Sequence, residues 1–391
     1  MQLGTHPTLA VLSHLIGSEL ASQRGASSAD LVSKATAGNS LRDGPLAVDS
    51  IEQLALARAV NEFFDLEASG LDEWLLRKDA VEDWVALIRE GLADGTTHIG
   101  FRSGGTTGEP RLNRLPIAHL ESEVSLLASA FSDRCRIVGV APPHHIYGFI
   151  WGPLLADVLQ VPYCHGDTAQ QFALDPEPGD LVVAYPEWWR YRSGRHTEFN
   201  TDVAGVTSTA PCPPEVIRAL QNQKLDSMTE VYGSSETGGI GWRSDPDSPF
   251  TLLEHWERAA DGNTRSLFLR PLAATVAAPD ELHWYDQRTL VPTGRQDGAV
   301  QVAGTNVDPA SIGRMLADHP GVVECSIRPF DTGSGIRLKA FVVPAEGADR
   351  ETLEETLRQW VNANLATPER PVRFDFGTTL PRNEMGKLSD W

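Results

Sequence analysis

Phe101-Arg102-Ser103-Gly104-Gly105-Thr106-Thr107-Gly108-Glu109-Pro110-Arg111 sets three glycines, three hydroxyl side chains and a closing arginine directly behind a short apolar run. Chemistry on a phosphate calls for this mixture. Glycine lets the main chain approach an anion and turn its N–H groups toward it, hydroxyls add donors, and a guanidinium supplies a charge-assisted contact. The Gly-Lys-Ser/Thr ending of a Walker loop is absent, as is the Gly-x-Gly-x-x-Gly of a dinucleotide fold. Alone, such a run is more often a surface loop. Its company along the chain reverses those odds.

Three further segments stand behind it in a fixed order. They are Tyr232-Gly233-Ser234-Ser235-Glu236-Thr237-Gly238-Gly239; then Pro292-Thr293-Gly294-Arg295-Gln296-Asp297 running into Val302-Ala303-Gly304-Thr305-Asn306-Val307-Asp308-Pro309; and Leu380-Pro381-Arg382-Asn383-Glu384-Met385-Gly386-Lys387-Leu388. With these four motifs the chain resembles the superfamily of adenylate-forming enzymes: acyl- and aryl-CoA synthetases, peptide-synthetase adenylation domains and luciferases. The resemblance runs from about residue 98 to the end.

The resemblance implies a division of labour. Ser103, Gly104, Gly105, Thr106, Thr107 and Gly108 would hold the ATP phosphates, with Arg111 where the family more often has lysine; that exchange keeps the charge but changes the geometry. Glu236 matches the acidic residue that binds Mg²⁺, a hard cation suited to a carboxylate. Ser235 falls beside the α-phosphate and Tyr232 beside adenine, Gly233 and Ser234 belong to the same ATP-binding motif, and Ala210 and Pro211 lie in the segment lining the adenine pocket. The family has Gly or Ala where Ser208 and Thr209 stand. Arg295 matches a ribose contact. The Thr-Gly-Asp that carries the family's ribose-binding aspartate is missing; by spacing Asp280 replaces it best and Asp286 second. Asp297 matches the hinge, Gly304 a glycine of the thiol tunnel, and Lys387 the lysine that neutralises charge during adenylation. In Pro142-Pro143-His144-His145-Ile146-Tyr147-Gly148-Phe149, His145 matches a gate between acid pocket and tunnel, with His144 a packed histidine. Tyr147, Phe149, Gly238, Gly239 and Trp242 are the candidate acid pocket.

The elements that must position these residues are legible in the patterning. Residues 8–95 read as helical, including Ser50 to Gly70, with Ser50 and Gln53 fitting a capping box, and Asp79 to Gly91. From His98 short apolar strands (Ile137 to Ala141, Leu181 to Ala184, Val203 to Val206) alternate with helix candidates Ile117 to Ser132 and Pro214 to Gln223, which predicts a doubly wound, largely parallel α/β domain. After Gly294 comes a small α+β module: helix Pro309 to Ala317, strands Val322 to Arg328 and Arg337 to Val343, helix Glu351 to Asn364, strand Val372 to Phe376. The expected organisation is a shortened N-terminal adenylation domain, 1–294, and a small mobile C-terminal domain, 295–391.

Thirty-three basic against fifty-three acidic residues give a formal net charge of −20. That surface repels nucleic acid and anionic lipid, so neither is expected as a partner. Four separated cysteines suggest neither a disulfide framework nor a zinc knuckle. With no basic leader and no long apolar span, a cytoplasmic location is expected. The resulting expectation is an ATP-, Mg²⁺- and coenzyme A-dependent ligase activating an aromatic acid, closest to the short bacterial 4-coumarate-type proteins linked to chromophore activation for photoactive yellow protein. A hydroxybenzoate ligase loading the phosphopantetheine of an acyl carrier protein, and a silent nucleotide-binding relative, are the alternatives.

Overall fold

The computed structural model describes residues 1–103, 111–166, 175–295, 298–333, 335–381 and 391, with the side chains of Ser103 and Arg295 outside that description. The chain divides into two compact units. One comprises Met1–Arg102, Leu112–Ala278 and Leu282–Pro292; most of the other is Thr293–Trp391.

The first unit opens on helices, as the periodicity predicts. Thr5–Arg24 closes on Gly25 in the left-handed region at φ 62°. Ser50–Phe64 is capped one residue earlier than expected: Asp49 accepts from the Ile51 and Glu52 amides, and Glu52 accepts from the Asp49 amide. The expected Ser50/Gln53 box is therefore corrected to Asp49/Glu52, and Gln53 is buried instead, accepting from Arg42. This helix also ends early, at Phe64, because Asp65 turns left-handed at φ 51°. A 3₁₀ turn, Leu66–Ser69, completes the run to Gly70.

A two-stranded ribbon, β1 (His98–Ser103) and β2 (Arg111–Pro116), leads into helix Ile117–Ala130. The main sheet then begins: β3 (Arg136–Gly139), β4 (Tyr163–His165), β5 (Asp180–Ala184), β6 (Ala204–Thr207), β7 (Ser227–Ser234), β8 (Gly238–Arg243) and β9 (Phe250–Leu252). A side sheet of β10 (Trp256–Arg258), β11 (Ser266–Leu269) and β12 (Ala274–Ala277) precedes β13 (Asp280–Trp284) and β14 (Thr289–Arg295), which rejoin the main sheet. Its order is β13-β14-β9-β8-β7-β6-β5-β3-β4. The stretch β4-β3-β5-β6-β7 is parallel.

Every residue of β5 is buried, as a parallel strand covered on both faces requires. Alternate side chains serve opposite cores. Leu181 and Val183 join the cluster built on the N-terminal helices, whereas Val182 and Ala184 join Trp188, Trp189, Val216 and Ile217. This is the doubly wound arrangement expected. Trp188 and Trp189 meet edge to face at 4.8 Å, and Gly205 has no Cβ because one would stand 2.8 Å from the Trp189 ring.

The second unit is a small α+β module with its own core. Strands β15 (Val300–Val302) and β16 (Thr305–Val307) form a ribbon; β17 (Val322–Asp331), β18 (Ile336–Pro344) and β19 (Pro371–Phe376) form a sheet. Helices Pro309–Ala317 and Arg350–Asn364 are capped by Asp308 and Asp349 and bury Ile312, Leu316, Leu353 and Leu357 in one cluster with Leu338 and Val342.

Candidate active site

Ligands of open parallel sheets gather beyond the carboxyl ends of the strands. In the first unit three of the motif segments leave the sheet at that edge: Pro142–Phe149 after β3, Ser208–Pro211 after β6, and Ser234–Gly238 after β7. Side-chain hydrogen bonds lock them together. The Tyr147 hydroxyl donates to the carbonyls of Ala184 (3.1 Å) and Val206 (2.9 Å), which seats the Ile146–Phe149 turn over the ends of β5 and β6. Ser208 Oγ donates to the Val231 carbonyl at 2.9 Å, and the Cys212 amide donates to Glu230 Oε1 at 3.0 Å. Glu230 is buried and also pairs across the hairpin with Arg243, 2.6 Å away. One carboxylate thus fixes both the hairpin and the segment after β6.

The Tyr232–Gly239 motif is the tip of this hairpin. Ser234 faces Gly238 across it, leaving Ser235, Glu236 and Thr237 as the loop, and Gly238 takes φ 65° as a three-residue hairpin turn requires. The Glu236 amide donates to Ser234 Oγ (3.3 Å), and Ser234 Oγ and Thr237 Oγ1 share a 3.0 Å bond. Gly233 is steric in origin: a Cβ there would lie 2.2 Å from the Gly238 carbonyl oxygen. Glu236 itself is exposed and joins no ion pair among the described residues. Tyr232 is half-buried, its ring 5.7 Å from Phe250.

Thr209, half-buried beside Ala210 and the exposed Pro211, has φ 79°. A β-branched side chain in that region is strained by roughly 1–3 kcal/mol, and its Oγ1 is buried without a hydrogen-bond partner. Glycine suits this backbone. Thr209→Gly is expected to raise the melting temperature, the relief of strain exceeding the roughly 0.5–1 kcal/mol entropic cost of glycine. A lower melting temperature would show that the threonine side chain holds the segment.

His145 is exposed at the start of the Ile146–Phe149 turn, while His144 is half-buried with Nδ1 unpartnered. Phe149 packs in the core against Phe63 (5.5 Å) and Phe101 (5.7 Å). Trp242 is half-buried and, with His255 and Ser122, borders a surface hollow of about 860 Å³. Arg111 is exposed at the start of β2. Ser103 ends β1; Gly104, Gly105, Thr106, Thr107, Gly108, Asp297 and Lys387 lie outside the described residues. In the second unit Asp280 is half-buried at the start of β13, and Arg295 ends β14. Asp286 is a turn former, accepting from the Arg288 (2.6 Å) and Thr289 (2.7 Å) amides, an arrangement that also holds its carboxyl below the usual range. Gly304 takes φ 77° after Ala303 at φ 49°, the two-residue turn joining β15 to β16.

Sequence reasoning missed the residues behind Gly238 and Gly239. Glu123, 1 % exposed on helix Ile117–Ala130, receives the Gly239 amide at both carboxyl oxygens (3.1 and 3.0 Å). A β-bulge at Ile240 frees that amide, and the Gly239 carbonyl accepts from Trp256 Nε1 at 2.8 Å. Both glycines are needed, since a Cβ on either would come within 2.6 Å of the Glu123 carboxyl. Burial pushes the Glu123 carboxyl up to about 8, and pushes the neighbouring His119 down to about 4 and His255 down to about 3. The four-residue spacing of His119 and Glu123 puts them on one helix face; that was the available signal.

Residues 312–387 match the family model of the AMP-binding enzyme C-terminal domain. The chain is 37% identical over 390 residues to a 4-coumarate–CoA ligase of Halorhodospira halophila, covering 99% of each chain. It is 34% identical over 354 residues to a 4-coumarate–CoA ligase of Cereibacter sphaeroides, covering 88% of this chain and 84% of that one. Among solved structures, o-succinylbenzoate CoA synthetase of Bacillus subtilis superposes with a TM-score of 0.62 at 14% identity, over 97% of this chain and 91% of that one. No helix among the described residues is long and apolar enough to cross a membrane. With its three motif loops bound together at the carboxyl edge of a doubly wound sheet, the chain belongs to the adenylate-forming superfamily, as an AMP-forming acid–thiol ligase of the short bacterial 4-coumarate–CoA ligase-like group.

Proposed function

We propose that the protein joins a hydroxycinnamate-type aromatic acid, 4-coumarate first, to coenzyme A at the expense of ATP. The full-length 37% identity to a 4-coumarate–CoA ligase carries this reading. In the first step a carboxylate oxygen attacks the α-phosphorus of ATP and pyrophosphate leaves. In the second the thiol adds to the acyl carbonyl, loses its proton, and AMP leaves. Both steps depend on positioning and charge neutralisation rather than on acid–base side chains.

Each residue has a role in this scheme. Residues 103–108 and Arg111 grip the phosphates. Tyr232 and Gly233, with Ala210 and Pro211, frame adenine, and Ser234 and Ser235 face the α-phosphate. Asp280 and Arg295 take the ribose. Gly238, Gly239 and Trp242 border the acid, supported by Tyr147 and Phe149, and His145 gates the thiol's approach. The small unit, carrying Gly304 and Lys387, turns about Asp297. Glu236 suits Mg²⁺, because its exposed carboxylate sits on a hairpin tip whose backbone is already held; the ion would neutralise phosphate charge in the first step.

Acid-dependent pyrophosphate release across aryl and fatty acids, followed by addition of coenzyme A or of a carrier protein, tests the reading. Release with 4-coumarate and thioester formation on coenzyme A are expected. Turnover of fatty acids only, or transfer only to the carrier, would overturn it. Glu236→Gln is expected to raise the Mg²⁺ concentration needed for half-maximal rate, since the amide keeps the shape and loses the charge. An unchanged Mg²⁺ titration would assign the ion to another residue.

A further inference from the structure

His119, Glu123 and His255 are all buried, and each offers one ligand atom within 4.8 Å of the other two. The first two project from successive turns of helix Ile117–Ala130; the third comes from the segment between β9 and β10. Three of their ring nitrogens, His119 Nε2 and both nitrogens of His255, are buried with no hydrogen-bond partner. The two carboxyl oxygens of Glu123 share a single amide donor. Buried polar atoms ordinarily find partners, and an orphan costs about 1–3 kcal/mol. A single cation, taking one ligand atom from each residue, would satisfy His119 Nε2, one of the two His255 nitrogens and the carboxyl at once. The surroundings also suit one. Trp256 stands edge-on to the His119 ring at 5.3 Å, the glycine pair leaves room at the carboxyl, and His255 lines the surface hollow it shares with Trp242.

We propose that His119, Glu123 and His255 form a binding site for a borderline first-row divalent cation of the zinc type, separate from the Mg²⁺ site at Glu236, that ties the Ile117–Ala130 helix to the segment after β9 behind Gly238 and Gly239. Two imidazoles and one carboxylate are a zinc donor set that leaves a fourth position for water. Bonds of about 2.0–2.1 Å place tetrahedral ligand atoms roughly 3.3 Å apart, so closure takes an inward movement of the rings of about an ångström. The site contributes no group to the phosphate end; it stiffens the floor beneath the two glycines.

Full-length protein stripped with a chelator is titrated with Zn²⁺ against a chromophoric competitor, and separately loaded with Co²⁺. One Zn²⁺ per chain, a higher melting temperature on its addition, and the intense visible bands of four- or five-coordinate cobalt are expected. Glu123→Gln and His255→Asn should each weaken Zn²⁺ binding by at least the roughly 10–100-fold that loss of an outer-sphere partner costs. Substoichiometric binding, or only the weak spectrum of six-coordinate cobalt, would overturn the site. So would a folded His255→Asn protein with unchanged Zn²⁺ affinity. The wild-type cobalt spectrum and the zinc-dependent melting shift decide the matter even if the variants do not fold.

Discussion

Lys387→Ala should lower acid-dependent pyrophosphate release by on the order of 10²–10³, with thioester formation from supplied acyl-adenylate largely intact. The proposed role of Lys387 is to oppose negative charge gathering on the attacking carboxylate and the α-phosphate, a demand peculiar to the first step. An arginine at this position would not restore the rate fully, because a planar fork does not replace a compact ammonium. The check is to time both half-reactions in one preparation. Equal losses in the two would remove the assigned role, and a normal first step with a failed second would place Lys387 at the thiol.

Gly233→Ala should damage both stability and rate. The added methyl would sit 2.2 Å from the Gly238 carbonyl oxygen, and that obstacle is backbone, unable to rotate away. Overpacking of this kind costs about 1–3 kcal/mol, and here the upper end is expected. The hairpin must splay, carrying the Glu236 tip with it, and a displacement near 1 Å at a reacting site is worth on the order of 10² in rate. A lowered melting temperature together with a rate loss near two orders of magnitude is the expected result. Wild-type melting and rate would show that the hairpin has slack enough to take the methyl.

The contrast between these two residues shows how far a sequence can be read. Lys387 and Gly233 both stand in local motifs, so both stand out. That Gly233 answers a steric demand across a hairpin emerges only once Gly238 is placed opposite it. Strands buried on both faces are legible as short apolar runs, and Leu181–Ala184 lies within β5. The helix Pro309–Ala317 is legible to the residue because proline marks its start. The cap at Asp49 falls one position before the expected one because Ser50 offers the same chemistry. The return of β13 and β14 to the sheet is not legible at all, since pairing with β9 is decided by long-range packing. Nor is the His119, Glu123 and His255 group: no local pattern links His255 to a helix more than a hundred residues upstream. Thr209 departs from the Gly or Ala of the resemblance, and its φ of 79° is a backbone that glycine, lacking a Cβ, takes without strain.

The two units differ sharply in their natural fluorophores. Of the ten tryptophans only Trp360 and Trp391 fall within Thr293–Trp391, while the other eight, the edge-on Trp188–Trp189 pair among them, belong to the first unit. Near-ultraviolet dichroism and intrinsic emission therefore report mainly on the large unit, and the small one could melt almost unseen. An experiment that tracks the small unit's folding or rotation will need a reporter of its own, attached on the Arg350–Asn364 helix or read through its backbone amides.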